Sequence, residues 1–154
     1  MIQEAPQAVS IAGVSLPPRP VRLLAAVAGC CVLVAGLGIR LAGKGVLDGG
    51  GALAQRAGTA LYASLVYTGV VFLWPRRSPL VSGGIALGFC WLVELFQLTG
   101  VPAELSARSV LARLALGARF DPSDLAWYPV GVVPLVALHW LLRVRYRRAD
   151  GTGR

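Results

Sequence analysis

Residues 91–131 read WLVELFQLTGVPAELSARSVLARLALGARFDPSDLAWYPVG, and their reading decides how the chain is built. The stretch begins and ends in apolar runs, with Glu94 and Gln97 inside the first and Asp124 at the mouth of the second. Residues three apart share one helical face, so Glu94 and Gln97 point the same way. Between the runs come Arg108, Arg113 and Arg119. An ionised carboxylate near a bilayer centre costs about 2.5–3.5 kcal/mol on insertion scales, and less toward the interface. Glu94 lies about five residues before the end of its run, roughly 7–8 Å below the surface at ~1.5 Å per residue. Three things could offset that cost: protonation, a water-filled cleft, or a cation such as Arg108 or Arg113 folding down onto it.

The remainder of the sequence supplies the setting. Of 154 residues, 56% are hydrophobic and 14% charged, with a mean hydropathy of +0.67, whereas about a quarter of a soluble domain is charged. Each span takes about 20 apolar residues. The composition therefore predicts an all-α integral membrane bundle of four transmembrane helices, with no room for a large soluble domain. The net charge of +8 belongs to cations flanking apolar segments. No basic helix interleaved with exposed aromatics accompanies it, which argues against a nucleic-acid partner. Cys30, Cys31 and Cys90 all fall in apolar segments, which argues against a disulfide framework, and a single histidine leaves no Cys/His metal set. Neither a metal nor a cofactor is expected.

Taken in order, residues 1–20 are proline-rich and read as a flexible tail, 21–148 as the transmembrane domain and 149–154 as a second tail. The first span is expected at 21–41. Val27 to Cys30 superficially matches a lipoprotein cleavage box, but apolar sequence continues past it, so Cys30 is expected to be a buried structural cysteine. Residues 43–55 are glycine-rich and read as a loop. The second span covers 56–74, and Pro75, Arg76, Arg77, Ser78 and Pro79 form a tight basic turn into the third, 80–98. Gly84 and Gly88 there make a small-xxx-small pair suited to close helix packing, on a different face from Glu94.

Residues 102–118 are too polar to span but periodic. Ala103, Ala107, Val110, Leu111, Leu114 and Ala118 share one face, with Ser106, Ser109 and Arg113 opposite. The pattern predicts one short interfacial helix between the third and fourth spans, started by Pro102 and stopped by Gly117. Asp121 or Ser123 then caps the fourth span, 125–142, where Pro129 and Pro134 predict a kink or local unwinding. His139 reads as interfacial and Trp91 as packing.

Arg19, Arg22, Arg76, Arg77 and the arginines after residue 142 lie on one side, and Arg40, Lys44, Arg56, Arg108, Arg113 and Arg119 on the other. The first set is larger, which predicts both termini in the cytoplasm.

Glu94 and Gln97 in ELFQL, Pro102, Arg108, Leu116 and Gly117 before Phe120, and Asp124, Leu125, Tyr128 and Gly131 in DLAWYPVG resemble the signature of a small bacterial membrane family catalogued as a domain of unknown function (DUF2809). The pattern is similar, more distantly, to the VanZ-like family linked to teicoplanin resistance, which also runs from a Glu and Gln in one span to an Asp heading the next. The similarity extends over about residues 22–142, with Arg40 also fitting. It implies a multi-pass bacterial inner-membrane protein with an envelope connection, and supplies no established reaction. An acid would be expected soon after Gly58, where this chain has Thr59.

The expected site is an outward-facing polar cluster of Glu94, Gln97, Arg108, Arg113, Asp124 and Tyr128, with Gly131 on the same face as Asp124. Its expected ligand is a membrane-lipid head group or a partner protein, which includes an envelope protein or a second copy of the chain. A plainer account has these residues bonding one another and pinning the interfacial helix. An enzyme acting on a lipid-linked envelope substrate, with Glu94 or Asp124 as acid or base, and a small oligomeric transporter are the alternatives.

Overall fold

A computed structural model describes residues 18–42, 51–117 and 119–151. Most of the expected N-terminal tail, the glycine run before Gly51 and the end of the C-terminal tail lie outside the described residues. Six helices follow one another: α1 Pro18–Ala42, α2 Gly51–Leu73, α3 Pro79–Gln97, α4 Val101–Arg108, α5 Val110–Leu116 and α6 Pro122–Gly151. Four of them, α1, α2, α3 and α6, are long and apolar enough to cross a membrane, with spanning segments of 21, 21, 19 and 25 residues. The fold is an all-helical, four-span membrane bundle.

Helix α2 is its hub. Among the described residues α1 packs on α2 alone, α3 packs on α2 and α6, and α2 and α6 lie against each other. Thr59 meets Asp124, Ser64 meets Gly131 and Tyr67 meets His139, so the two helices run parallel. Lipid tails are as apolar as leucine, so close contact between such helices comes from small residues rather than from hydrophobic drive. Ala63 and Ala86 are fully buried, and a Cβ on Gly131 would overlap the Ala60 carbonyl. Ser64 Oγ bridges the crossing, 2.9 Å from Gly131 O and 3.0 Å from Ala60 O. Large apolar side chains such as Leu80 (73% exposed) and Leu92 (66%) point away from the bundle, where acyl chains would cover them.

The structure departs from the sequence expectations at several points. α2 begins at Gly51, so the end of the expected 43–55 loop is helical. Of the kink or local unwinding expected at Pro129 and Pro134, the unwinding is absent, since both prolines lie inside the helix α6. Pro129 lacks the N–H that would bond Leu125 O, and Trp91 Nε1 supplies it from α3 at 3.2 Å. Cys30 is exposed on α1, not buried, because among the described residues α1 packs against α2 only and most of its circumference faces outward. Gly84 and Gly88 meet nothing within 4 Å; Gly83, one position earlier, is the packing glycine, its missing Cβ facing Val136 and Val132 of α6.

Where one short interfacial helix was expected, the chain forms two short helices, broken at Ser109 with φ −143° and ψ 125°. Serine competes with helical backbone for hydrogen bonds and favours caps, and Ser109 Oγ accepts from Ala112 N at 3.3 Å. The expected ends hold. Pro102 lies in the first turn of α4, and Gly117, at φ +68°, follows α5. Ser106, expected opposite the apolar face, is buried, while Val110 and Leu111 are exposed.

Candidate functional site

The face of α3 that packs inward carries Gly83, Ala86, Cys90, Val93 and Glu94. Glu94 is the last buried residue of α3 before the α3–α4 turn, and it is completely buried. Its Oε2 accepts from Tyr128 Oη at 2.7 Å, and its Oε1 accepts from the Asp121 backbone N–H at 2.7 Å. Acceptance at both oxygens is the pattern of a carboxylate. The partners in these two bonds are a phenol and a helix N-terminus, and neither is Arg108 or Arg113, the cations named among the three expected offsets.

The second contact has a local cause. Asp121 precedes Pro122 at the start of α6, an arrangement suited to an N-cap followed by proline in the first turn. Asp121 Oδ1 accepts from Ser123 N at 2.9 Å, and this bond, with a smaller effect from Arg56, holds its carboxyl below the ordinary carboxylate value. In a capping box the residue three after the cap would bond the cap's own N–H. Asp124 occupies that place but bonds Thr59 Oγ1 at 2.9 Å, and Glu94 of α3 takes over the N–H. Gln55 Nε2 reaches Asp121 Oδ2 at 3.1 Å.

Helices α4 and α5 close over this region through polar bonds to backbone. Gln97 Nε2 donates to Leu116 O at 2.7 Å, Tyr62 Oη to Ala115 O at 2.7 Å, and Ser106 Oγ to Gly117 O at 2.6 Å. Arg113 donates from Nε and Nη2 to Ser106 O at 3.2 and 3.0 Å. Gly117 is required by its positive φ, and a Cβ there would also displace the end of the Gln97 side chain.

Beneath α5 lies a polar cavity of about 290 Å³. Its wall includes Glu94, Gln97, Asp124 and Tyr128 with Gln55, Thr59 and Tyr62 of α2, and Arg113 and Arg119. Of the sequence candidates, Glu94, Gln97, Arg113, Asp124 and Tyr128 come together there. Arg108 does not: it is exposed at the end of α4 and absent from the wall. Arg56, also outside the wall, stacks over the Trp127 ring at 5.9 Å.

Among the described residues two buried side-chain atoms have no hydrogen-bond partner, Ser82 Oγ and Gln97 Oε1, and of the two residues Gln97 lines the cavity. Also among the described residues, no three His, Cys, Asp or Glu groups gather closely enough to hold a metal ion.

Gln55, Thr59, Tyr62, Arg119 and Asp121 were not among the sequence candidates. Gln55, Thr59 and Tyr62 fall at i, i+4 and i+7, a polar stripe on one face of an otherwise apolar helix, so a periodicity signal was present. Thr59 is the position where the resemblance leads one to expect an acid. A carboxylate there would lie against Asp124, and two carboxylates that close do not both ionise readily; threonine donates instead.

The model of a family described as "Protein of unknown function (DUF2809)" matches residues 49–132. The chain belongs to that family. No solved structure matches it. The DUF2809 match takes in every wall residue of the polar cavity except Gly36 and Ile39 of α1.

Proposed function

We propose that this multi-pass membrane protein binds a polar lipid head group in the cavity beneath α5, which opens on the outer face of the membrane with both termini in the cytoplasm. The observation that carries the reading is Gln97 Oε1. A buried amide oxygen without a partner costs about 1–3 kcal/mol, and this one borders a cavity large enough for a ligand's donor to reach it. The wall also sets acceptors, Asp124 and Gln97, against cations, Arg113 and Arg119. That combination suits a zwitterionic head group, its ammonium at the acceptors and its phosphate at the arginines.

The test uses detergent-purified protein exchanged with phosphatidylethanolamine, with bound lipid read by native mass spectrometry. Gln97→Met and Arg119→Ala are each expected to lower retention about fivefold or more, the worth of one polar contact. Arg108→Ala, off the wall, is expected to leave it unchanged. Equal retention in wild type, Gln97→Met and Arg119→Ala would show that these side chains only brace α5.

A further inference from the structure

The α2–α6 seam carries a second cavity, of about 280 Å³, toward the end remote from Glu94. Its wall is almost wholly apolar, formed by Ala25 and Ala28 of α1, Val71 of α2, and Leu135, Leu138 and Tyr146 of α6, with Tyr67 and His139 on one side. Among the described residues the backbone of α1 approaches that of α2 and not that of α6. The cavity therefore has α2 as its floor and lies between α1 and α6.

The hydrogen bonds beside it leave one donor over. Arg143 Nε donates to His139 Nε2 at 3.1 Å, and a guanidinium has no acceptor to offer. His139 Nε2 thus carries the lone pair, which places the proton of the neutral imidazole on Nδ1. Nδ1 is 2.9 Å from Tyr67 Oη, so the imidazole donates and the phenol oxygen accepts. Tyr67 keeps its own hydrogen for a further acceptor at the cavity wall. Thr68, also in the wall, is committed elsewhere, its hydroxyl donating to Leu65 O at 2.8 Å.

This end of the bundle is basic. Arg22 Nε donates to Phe72 O at 3.2 Å, which holds its guanidinium between the start of α1 and the end of α2. Arg76 and Arg77 are exposed on the adjoining turn, and Arg145 is exposed on α6. Cations at the membrane surface attract anionic lipids.

We infer that this cavity seats one acyl chain of an anionic glycerophospholipid, with Tyr67 Oη donating to its ester carbonyl and its phosphate beside the arginines of that end. The chain fills the apolar gap between α1 and α6, the carbonyl takes the spare hydrogen, and the head group meets the charge. The polar cavity beneath α5 plays no part in this.

Purified protein exchanged with phosphatidylglycerol, and separately with phosphatidylethanolamine, tests the inference by native mass spectrometry. Wild-type protein is expected to retain one phosphatidylglycerol, about tenfold in preference to phosphatidylethanolamine at this site. Ala28→Trp, which fills the cavity, should lower phosphatidylglycerol retention about tenfold or more. Ala28→Leu gives the same direction in a milder variant should the tryptophan disturb folding. Tyr67→Phe removes only the donor and should lower retention about fivefold. Retention unaffected by Ala28→Leu and Tyr67→Phe overturns the inference, as does an equal loss of the two lipids on Ala28→Leu. Loss of phosphatidylglycerol on Gln97→Met but not on Ala28→Leu places the lipid in the other cavity and overturns it too.

Discussion

The two ends of the α2–α6 seam solve the problem of polar groups in an apolar bundle differently. At the Glu94 end, side chains of α2 and α3 are spent on backbone: Glu94 takes a helix-capping N–H, Gln97 and Tyr62 reach carbonyls of α5, and one amide oxygen is left over. At the other end Tyr67, His139 and Arg143 form a relay that finishes on the carbonyls of Pro75 and Arg77 at 3.0 and 2.7 Å. The first end leaves an acceptor in a polar cavity and the second a donor in an apolar one. Thr59 and Tyr67 are about 12 Å apart along α2 at ~1.5 Å per residue. One parallel helix pair therefore offers two chemically opposite surfaces at different depths.

The sharpest way to break this comparison is at the crossing both ends share. Gly131→Ala puts a methyl group into the Ala60 carbonyl, and is expected to cost more than about 3 kcal/mol in denaturant unfolding and to loosen both ends together. Gly84→Ala and Gly88→Ala, which meet open space, should stay within about 0.5 kcal/mol of wild type. A large loss at Gly88 would mean that another helix covers that face.

Glu94→Leu separates the ends. It strands the Tyr128 hydroxyl and the Asp121 N–H in a buried place and should cost about 3 kcal/mol. Cysteine tagging should then show α5 and the start of α6 more accessible, with the Tyr67 end unchanged. Trp91→Phe tests the proline-freed carbonyl of α6. Loss of its bond to Leu125 O should cost about 1 kcal/mol, and a neutral result would assign that carbonyl another partner.

The smallest effect is a pH dependence. Because the Ser123 N–H lowers the Asp121 carboxyl from 3.8, the cap's contribution is complete above that value. It is lost as the pH falls through the lower folded-state value. Unfolding midpoints should hold level down to about pH 4 and then fall, and Asp121→Asn should flatten that acid limb. An identical limb in the variant would mean that other carboxylates dominate.

The spans, the turn at Pro75–Pro79 and the inward placement of Glu94 with Gln97 were legible because helical period and hydropathy act locally. Gly84 and Gly88 misled for a physical reason. In a membrane span both faces are apolar, so a pair of glycines shows that a face is smooth but not which face meets a neighbour. Arg108 misled similarly: its charge was visible, but the break at Ser109 sends it away while Arg113 turns back to Ser106 O.

The sequence by itself determined the number of crossing helices, the family and the residue types that can act inside them, since each follows from composition or from spacing within one segment. Only the tertiary structure decided which groups meet. Gln55 and Thr59 reach Asp121 and Asp124 from 65 or more positions away, and the Tyr67 proton is spare only because Arg143 stands on the far side of His139. Such contacts depend on how helices are rotated and stacked, a choice that uniformly apolar surfaces leave unmarked in the chain.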